Sequence, residues 1–154
     1  MYAILLFLHS ALRWIILLLL VVNIIRLYSG NAKLSLSKWL LIATHLTFVI
    51  GIAQYFMGSM GFHLFQTFDT STVMKTGAYR FWAIEHPVGM LASVVFITVG
   101  HVSLKKTGKA KRSATFYLIA LVLILAVIPW PNREVVGRPL VPSLQTNEAP
   151  QSGM

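Results

Sequence analysis

Four long apolar runs alternate with short polar, mostly basic stretches. The first run extends from about Tyr2 to Leu27 and is interrupted by His9, Arg13 and Asn23. The second covers Trp39 to about Met57, the third Phe81 to about Leu104, and the fourth Ala114 to Trp130. A hydrocarbon core of about 30 Å needs roughly 20 helical residues, so each run suffices for one crossing. The runs lack the period-two alternation of barrel strands. The pattern therefore predicts an all-α integral membrane protein with helices at about 2–28, 36–58, 80–104 and 113–130. Together these form one transmembrane domain over residues 1–132. The first run reads as a retained span rather than a cleaved signal, because no basic segment precedes it, Arg13 interrupts it and no A-x-A site follows it.

Connection lengths and charges then suggest a topology. Short links between the first and second runs, and between the third and fourth, make antiparallel neighbours of each pair, so an up-down four-helix bundle is expected. Lys and Arg concentrate on cytoplasmic loops. Arg26, Lys33, Lys38, Lys105, Lys106, Lys109, Lys111 and Arg112 flank the first and third connections, whereas Lys75, Arg80, Arg133 and Arg138 flank the second connection and the tail. This bias puts loops 1 and 3 in the cytoplasm and both termini outside, on the periplasmic side of a bacterial inner membrane. Residues 133–154, polar and proline-containing, are expected to be a disordered tail.

Composition strengthens the membrane assignment. Hydrophobic residues make up 56% of the 154 and charged residues only 11%, where soluble domains carry roughly 25%. Mean hydropathy is +0.73. The net charge of +9 lies between apolar runs, as expected for topology and anionic headgroups rather than for nucleic acid. No cysteine is present, which excludes disulfides, thiolate metal sites, iron–sulfur clusters and covalently attached c-type haem.

Ionisable residues inside spans point to function and usually face the bundle interior. Arg13 follows His9 by one helical turn on the same face. In the third run, His86, Met90, Ser93, Ile97 and His101 fall near one line. His9 and His86 each lie about 9–12 Å inside the outer boundary, so their imidazoles are expected to meet at one level. Paired imidazoles without cysteine suit the axial positions of a non-covalent haem b, with Arg13 or Arg80 at its propionates and Phe81, Trp82 and Met90 along the ring. His45 is a third candidate iron ligand, and equally reads as an interhelical hydrogen-bonding residue. His101 reads as an interfacial histidine and His63 as a solvent-facing one. Glu85 is read either as an ion-pair partner of Arg13 or as a proton-transfer group at a quinol site.

The segments "LHSALRW", "THLTFVIGIAQYF", "MKTGAYRFWAIEHPVGMLASVVFITVG" and "FYLIALVLILAVIPWP" together resemble a family of small four-span bacterial membrane proteins, common in the Bacteroidetes, described as "cytochrome b"-like. The resemblance covers about residues 4–131. It implies a haem b electron-transfer role, with His9, Arg13, His45, Arg80, Glu85 and His86 on the motif positions and His101 outside them. The expected activity is electron passage between a quinol pool and a partner redox protein, within or beside a larger respiratory complex. Two other readings stand beside it: a cofactor-free accessory or assembly subunit, and a membrane enzyme acting on quinone or porphyrin.

Overall fold

In the computed structural model, which describes residues 1–140, the chain is all-helical, with no strand among those residues. The helices are α1 (Tyr2–Tyr28), α2 (Leu34–Met57), three short helices α3 (His63–Thr67), α4 (Thr70–Lys75) and α5 (Gly77–Arg80), a π-helical turn Phe81–Glu85, then α6 (His86–Thr107) and α7 (Ala110–Val127). Helix α5, the π turn and α6 run on as one 31-residue helical stretch, Gly77–Thr107. That stretch, α1, α2 and α7 are each long and apolar enough to cross a membrane.

Each long helix buries a seam spaced by alternating threes and fours, the spacing that keeps one face turned to its neighbours. In α1 the buried positions are Ile16, Leu20, Asn23 and Leu27, and in α2 they are Ser37, Leu40, Thr44 and Thr47. Leu20, Leu40, Ile97 and Ala120, one from each long helix, are completely buried in the same core cluster. Helix α1 packs on α2 and α7, and α6 packs on the same two, which leaves α1 and α6 facing each other diagonally. The outward faces stay apolar: Leu18 is 65% exposed and Val49 61%. A surface of that kind is unfavourable in water and suits lipid.

Polar groups along the spans are mostly satisfied within their own helix. Thr44 donates to the Leu40 carbonyl, Thr47 to Ala43, Ser93 to Gly89 and Thr98 to Val94. Back-bonding to the preceding turn removes the hydroxyl's need for an outside partner.

Pro87 explains the π turn. The sequence places it at the start of the third span, where a missing N–H costs least, but the helix already begins at Gly77 and Pro87 lies inside it. A regular helix would direct an N–H from residue 87 to the carbonyl of residue 83. The chain instead widens by one residue, His86 N–H bonding to the Phe81 carbonyl. The stranded Ala83 carbonyl accepts from the Tyr55 hydroxyl of α2 at 3.1 Å.

Residues 133–138 fold back over the end of α7. Arg133 bonds through its N–H to the Trp130 carbonyl, Gly137 to Arg133 and Arg138 to Pro129, while the Arg133 guanidinium reaches the Ala126 carbonyl. The two prolines of "PWP" stop α7, and the Arg side chains then tie the chain back over the helix end. The rest of the expected tail, 141–154, lies outside the described residues.

Candidate functional site

His9 and His86 come together across the α1–α6 diagonal. Extending each buried seam backwards by its own spacing places His9 and Arg13 in line with Ile16, and His86 and Met90 in line with Ser93. Their ring centroids are 6.3 Å apart with planes inclined at 62°.

Two glycines make the approach possible. A Cβ on Gly51 of α2 would stand 3.2 Å from His9 Cε1, so the missing side chain gives the imidazole its place. A Cβ on Gly89 would stand 2.5 Å from Val127 Cγ1, so only glycine lets α7 close on α6 there. That closeness brings the Val127 carbonyl to 2.8 Å from His86 Nδ1. Val127 ends α7, and carbonyls of a last helical turn lack intrahelical donors. His86 therefore donates from Nδ1 to an acceptor that needs it, and its Nε2 carries the free lone pair. His9 Nδ1 is buried without a hydrogen-bond partner.

Aromatic rings and cations surround the pair. His86 lies 5.8 Å from the Phe81 ring and 5.6 Å from Trp82. Arg133 stands over Phe81 and Arg138 over Trp82, each guanidinium carbon 5.3 Å from the ring centre. Arg13 stands over Trp14, and both donate to the Leu140 carbonyl, at 3.0 and 2.9 Å. Arg13 Nε is buried and unpartnered.

Other sequence candidates lie elsewhere. Arg80 pairs with Glu85 at 2.6 Å and also bonds the Met74 carbonyl at 3.0 Å. The ion pair expected between Arg13 and Glu85 is thus replaced by a local one, five residues apart on one helical stretch. His45 is exposed and donates from Nδ1 to the Leu41 carbonyl of its own helix at 2.8 Å. It stands one residue after Thr44 on the buried seam, which rotates it by about 100° away from the histidine pair. His63 is exposed beside Gln66.

His101 is buried between helices. Ser37 Oγ lies 2.7 Å from its Nδ1 and 2.5 Å from the Tyr117 hydroxyl, joining α2, α6 and α7. Gly100 permits this contact, since a Cβ there would meet Tyr117 Cε1 at 2.5 Å.

Gly51, Gly89, Val127, Tyr55, Arg133 and Arg138 escaped the sequence reading. The glycines were visible as gaps in long apolar runs, and glycine inside a helix often marks a close approach. The two arginines fell within the segment expected to be disordered.

Two imidazoles alone do not make a metal cage, and no group of three or more His, Cys, Asp or Glu side chains clusters among the described residues. The unpartnered His9 Nδ1 and the Nε2 of His86 are the two donors open to a ligand that brings its remaining donors itself. Comparisons with protein families, curated proteins and solved structures return no match.

Proposed function

We propose that this chain is a multi-pass protein of a bacterial cytoplasmic membrane that binds one b-type haem between His9 and His86 and carries electrons between membrane quinol and a partner redox protein. In this reading the long helices form an up-down bundle, with both termini and α3–α5 on the outer side. The carrying observation is the 6.3 Å separation of two histidines from diagonal helices, one with an unpartnered buried Nδ1. The Nδ1–H bond of His86 to Val127 supports it further, because it fixes the tautomer that frees Nε2.

His9 and His86 would hold the iron, and the haem would supply a one-electron change of oxidation state. Arg13, Arg133 and Arg138 are the cations suited to the propionates. Arg80 is already engaged by Glu85. That pairing also weakens the proton-relay reading of Glu85, since its carboxylate is held by a cation.

A reduced-minus-oxidised spectrum and a pyridine haemochrome assay on protein expressed with ample haem test the proposal. One haem b per chain is expected, lost in His9→Ala and His86→Ala and kept in His45→Ala. A folded, helical protein without a Soret band would overturn it and favour the accessory-subunit reading.

A further inference from the structure

The strongest feature outside the histidine pair is a groove between α6 and α7 at the basic end of the chain. Its volume is about 280 Å³, and Thr98, Val99, Val102, Ser103, Lys106 and Arg112 are among its lining residues. Val99 and Val102 are each 40% exposed, giving the groove an apolar floor on the outer face of the helices. At its mouth, Gly108 adopts φ +63° and ends α6. A two-residue link then starts α7 at Ala110, so Lys106 and Arg112 stand on either side of one tight turn.

Charge at this mouth is unbalanced. Lys105, Lys106, Lys109, Lys111 and Arg112 fall within eight residues that include no acid. Among the described residues the one ion pair is Arg80–Glu85, roughly 30 Å away along the same helical stretch. Helix α7 has no side-chain cap and no acidic residue in its first turn, which instead carries Lys111 and Arg112. Cations at a helix N-terminus oppose the macrodipole, an arrangement that an anion relieves.

An independent observation points the same way. Ser103 lines the groove, is 8% exposed, and its hydroxyl has no hydrogen-bond partner. Nearby, Thr98 bonds to the Val94 carbonyl and Thr107 to Ser103's own carbonyl, while the Ser113 hydroxyl of α7 is likewise buried without a partner. Arg112 is held over the Phe116 ring at 5.7 Å, which limits its freedom before any ligand arrives. An apolar floor, a free buried hydroxyl and a cationic mouth are together the chemistry of an acyl chain ending in a phosphate.

We propose that the α6–α7 groove binds an anionic phospholipid. Its headgroup phosphate is held by Lys106, Arg112 and the first-turn N–H groups of α7, and one acyl chain lies along Val99 and Val102. The proposal rests on the membrane-spanning part of the reading above and not on haem, so failure of either leaves the other standing.

The test uses the full chain in an uncharged detergent, titrated with dioleoyl phosphatidylglycerol, dioleoyl phosphatidylcholine or inorganic phosphate, with bound lipid read by native mass spectrometry. Phosphatidylglycerol is expected to bind about tenfold or more tightly than phosphatidylcholine. The double variant Lys106→Gln/Arg112→Gln should lose at least about tenfold of that affinity. Lys105→Gln/Lys109→Gln removes the same charge beside the groove and should lose less than about threefold. Val102→Trp should block the acyl chain and weaken the lipid while leaving circular dichroism unchanged. Equal binding of the two lipids by the unaltered protein would overturn the proposal. So would an equal loss in both double variants, or displacement of phosphatidylglycerol by an equal concentration of inorganic phosphate.

Discussion

His86 and Val127 are joined by a 2.8 Å hydrogen bond in which an imidazole N–H closes the last turn of the neighbouring helix. The bond exists because Gly89 lets the α7 backbone approach, and this gives the first prediction. Gly89→Leu forces Val127 outwards, breaks the bond and frees the His86 ring to rotate. Overpacking of this kind costs about 1–3 kcal/mol. The thermal midpoint in detergent should fall, and under the proposed function haem occupancy should fall with it. Val127→Ala in the same chain should recover much of both, since it removes the methyl groups that Gly89 accommodates.

Tyr55 and Pro87 make a second prediction. Tyr55→Phe leaves the Ala83 carbonyl without a partner, a loss of about 1–3 kcal/mol for a buried acceptor. Pro87→Ala restores an N–H at residue 87, so the π turn can relax to a regular helix and Ala83 regains an intrahelical donor. Tyr55→Phe should then cost far less in the Pro87→Ala background than alone. A double-mutant cycle on unfolding free energy measures the difference. Additive effects would show that the hydroxyl does not stand in for the missing N–H.

The spans were legible because a membrane imposes length and hydropathy on each crossing, and both are written in consecutive residues. The common depth of His9 and His86 followed from helix rise in the same way. The outward turn of His45 was not legible. In water, the inner face of a helix is marked by apolar residues against a polar exterior, but here both faces are apolar. The inner seam of α2 is marked instead by small and hydroxyl residues: Ser37, Thr44, Thr47 and Gly51. The burial of His101 was hidden likewise, because its partner Ser37 comes from a helix 64 residues away in the chain and is itself bonded to Tyr117 of a third helix. Helix direction alone gives no measure of such contacts.

The Ser37–His101–Tyr117 cluster makes a third prediction. These polar groups satisfy one another between three helices, and removal of one member strands the rest. Ser37→Ala, which breaks both bonds, should destabilise the protein by about 1–3 kcal/mol. Tyr117→Phe, which breaks one, should cost less. If the chain binds haem as proposed, neither should alter its spectrum, because His101 is separate from the His9–His86 pair. A spectral shift in His101→Ala would assign this histidine to iron and sink the single-haem reading.

Asp69 gives the last prediction, through pH. Its carboxylate caps α4, accepting from the Thr72 N–H at 2.8 Å and the Thr72 hydroxyl at 2.6 Å. These bonds favour the charged form and hold the group below the ordinary carboxylate range. A pKa depressed by folding means that the stabilisation is complete above the unfolded group's pKa and is lost as pH falls through the folded one. Helix α4 should therefore fray in acid while the long helices persist. Amide hydrogen exchange along residues 70–75 reads this directly, corrected for the intrinsic slowing of exchange at low pH. Asp69→Asn, which keeps an acceptor without the charge, should abolish the acid-dependent loss of protection while leaving α4 partly capped. Persistence of the full pH response in that variant would trace it to another group.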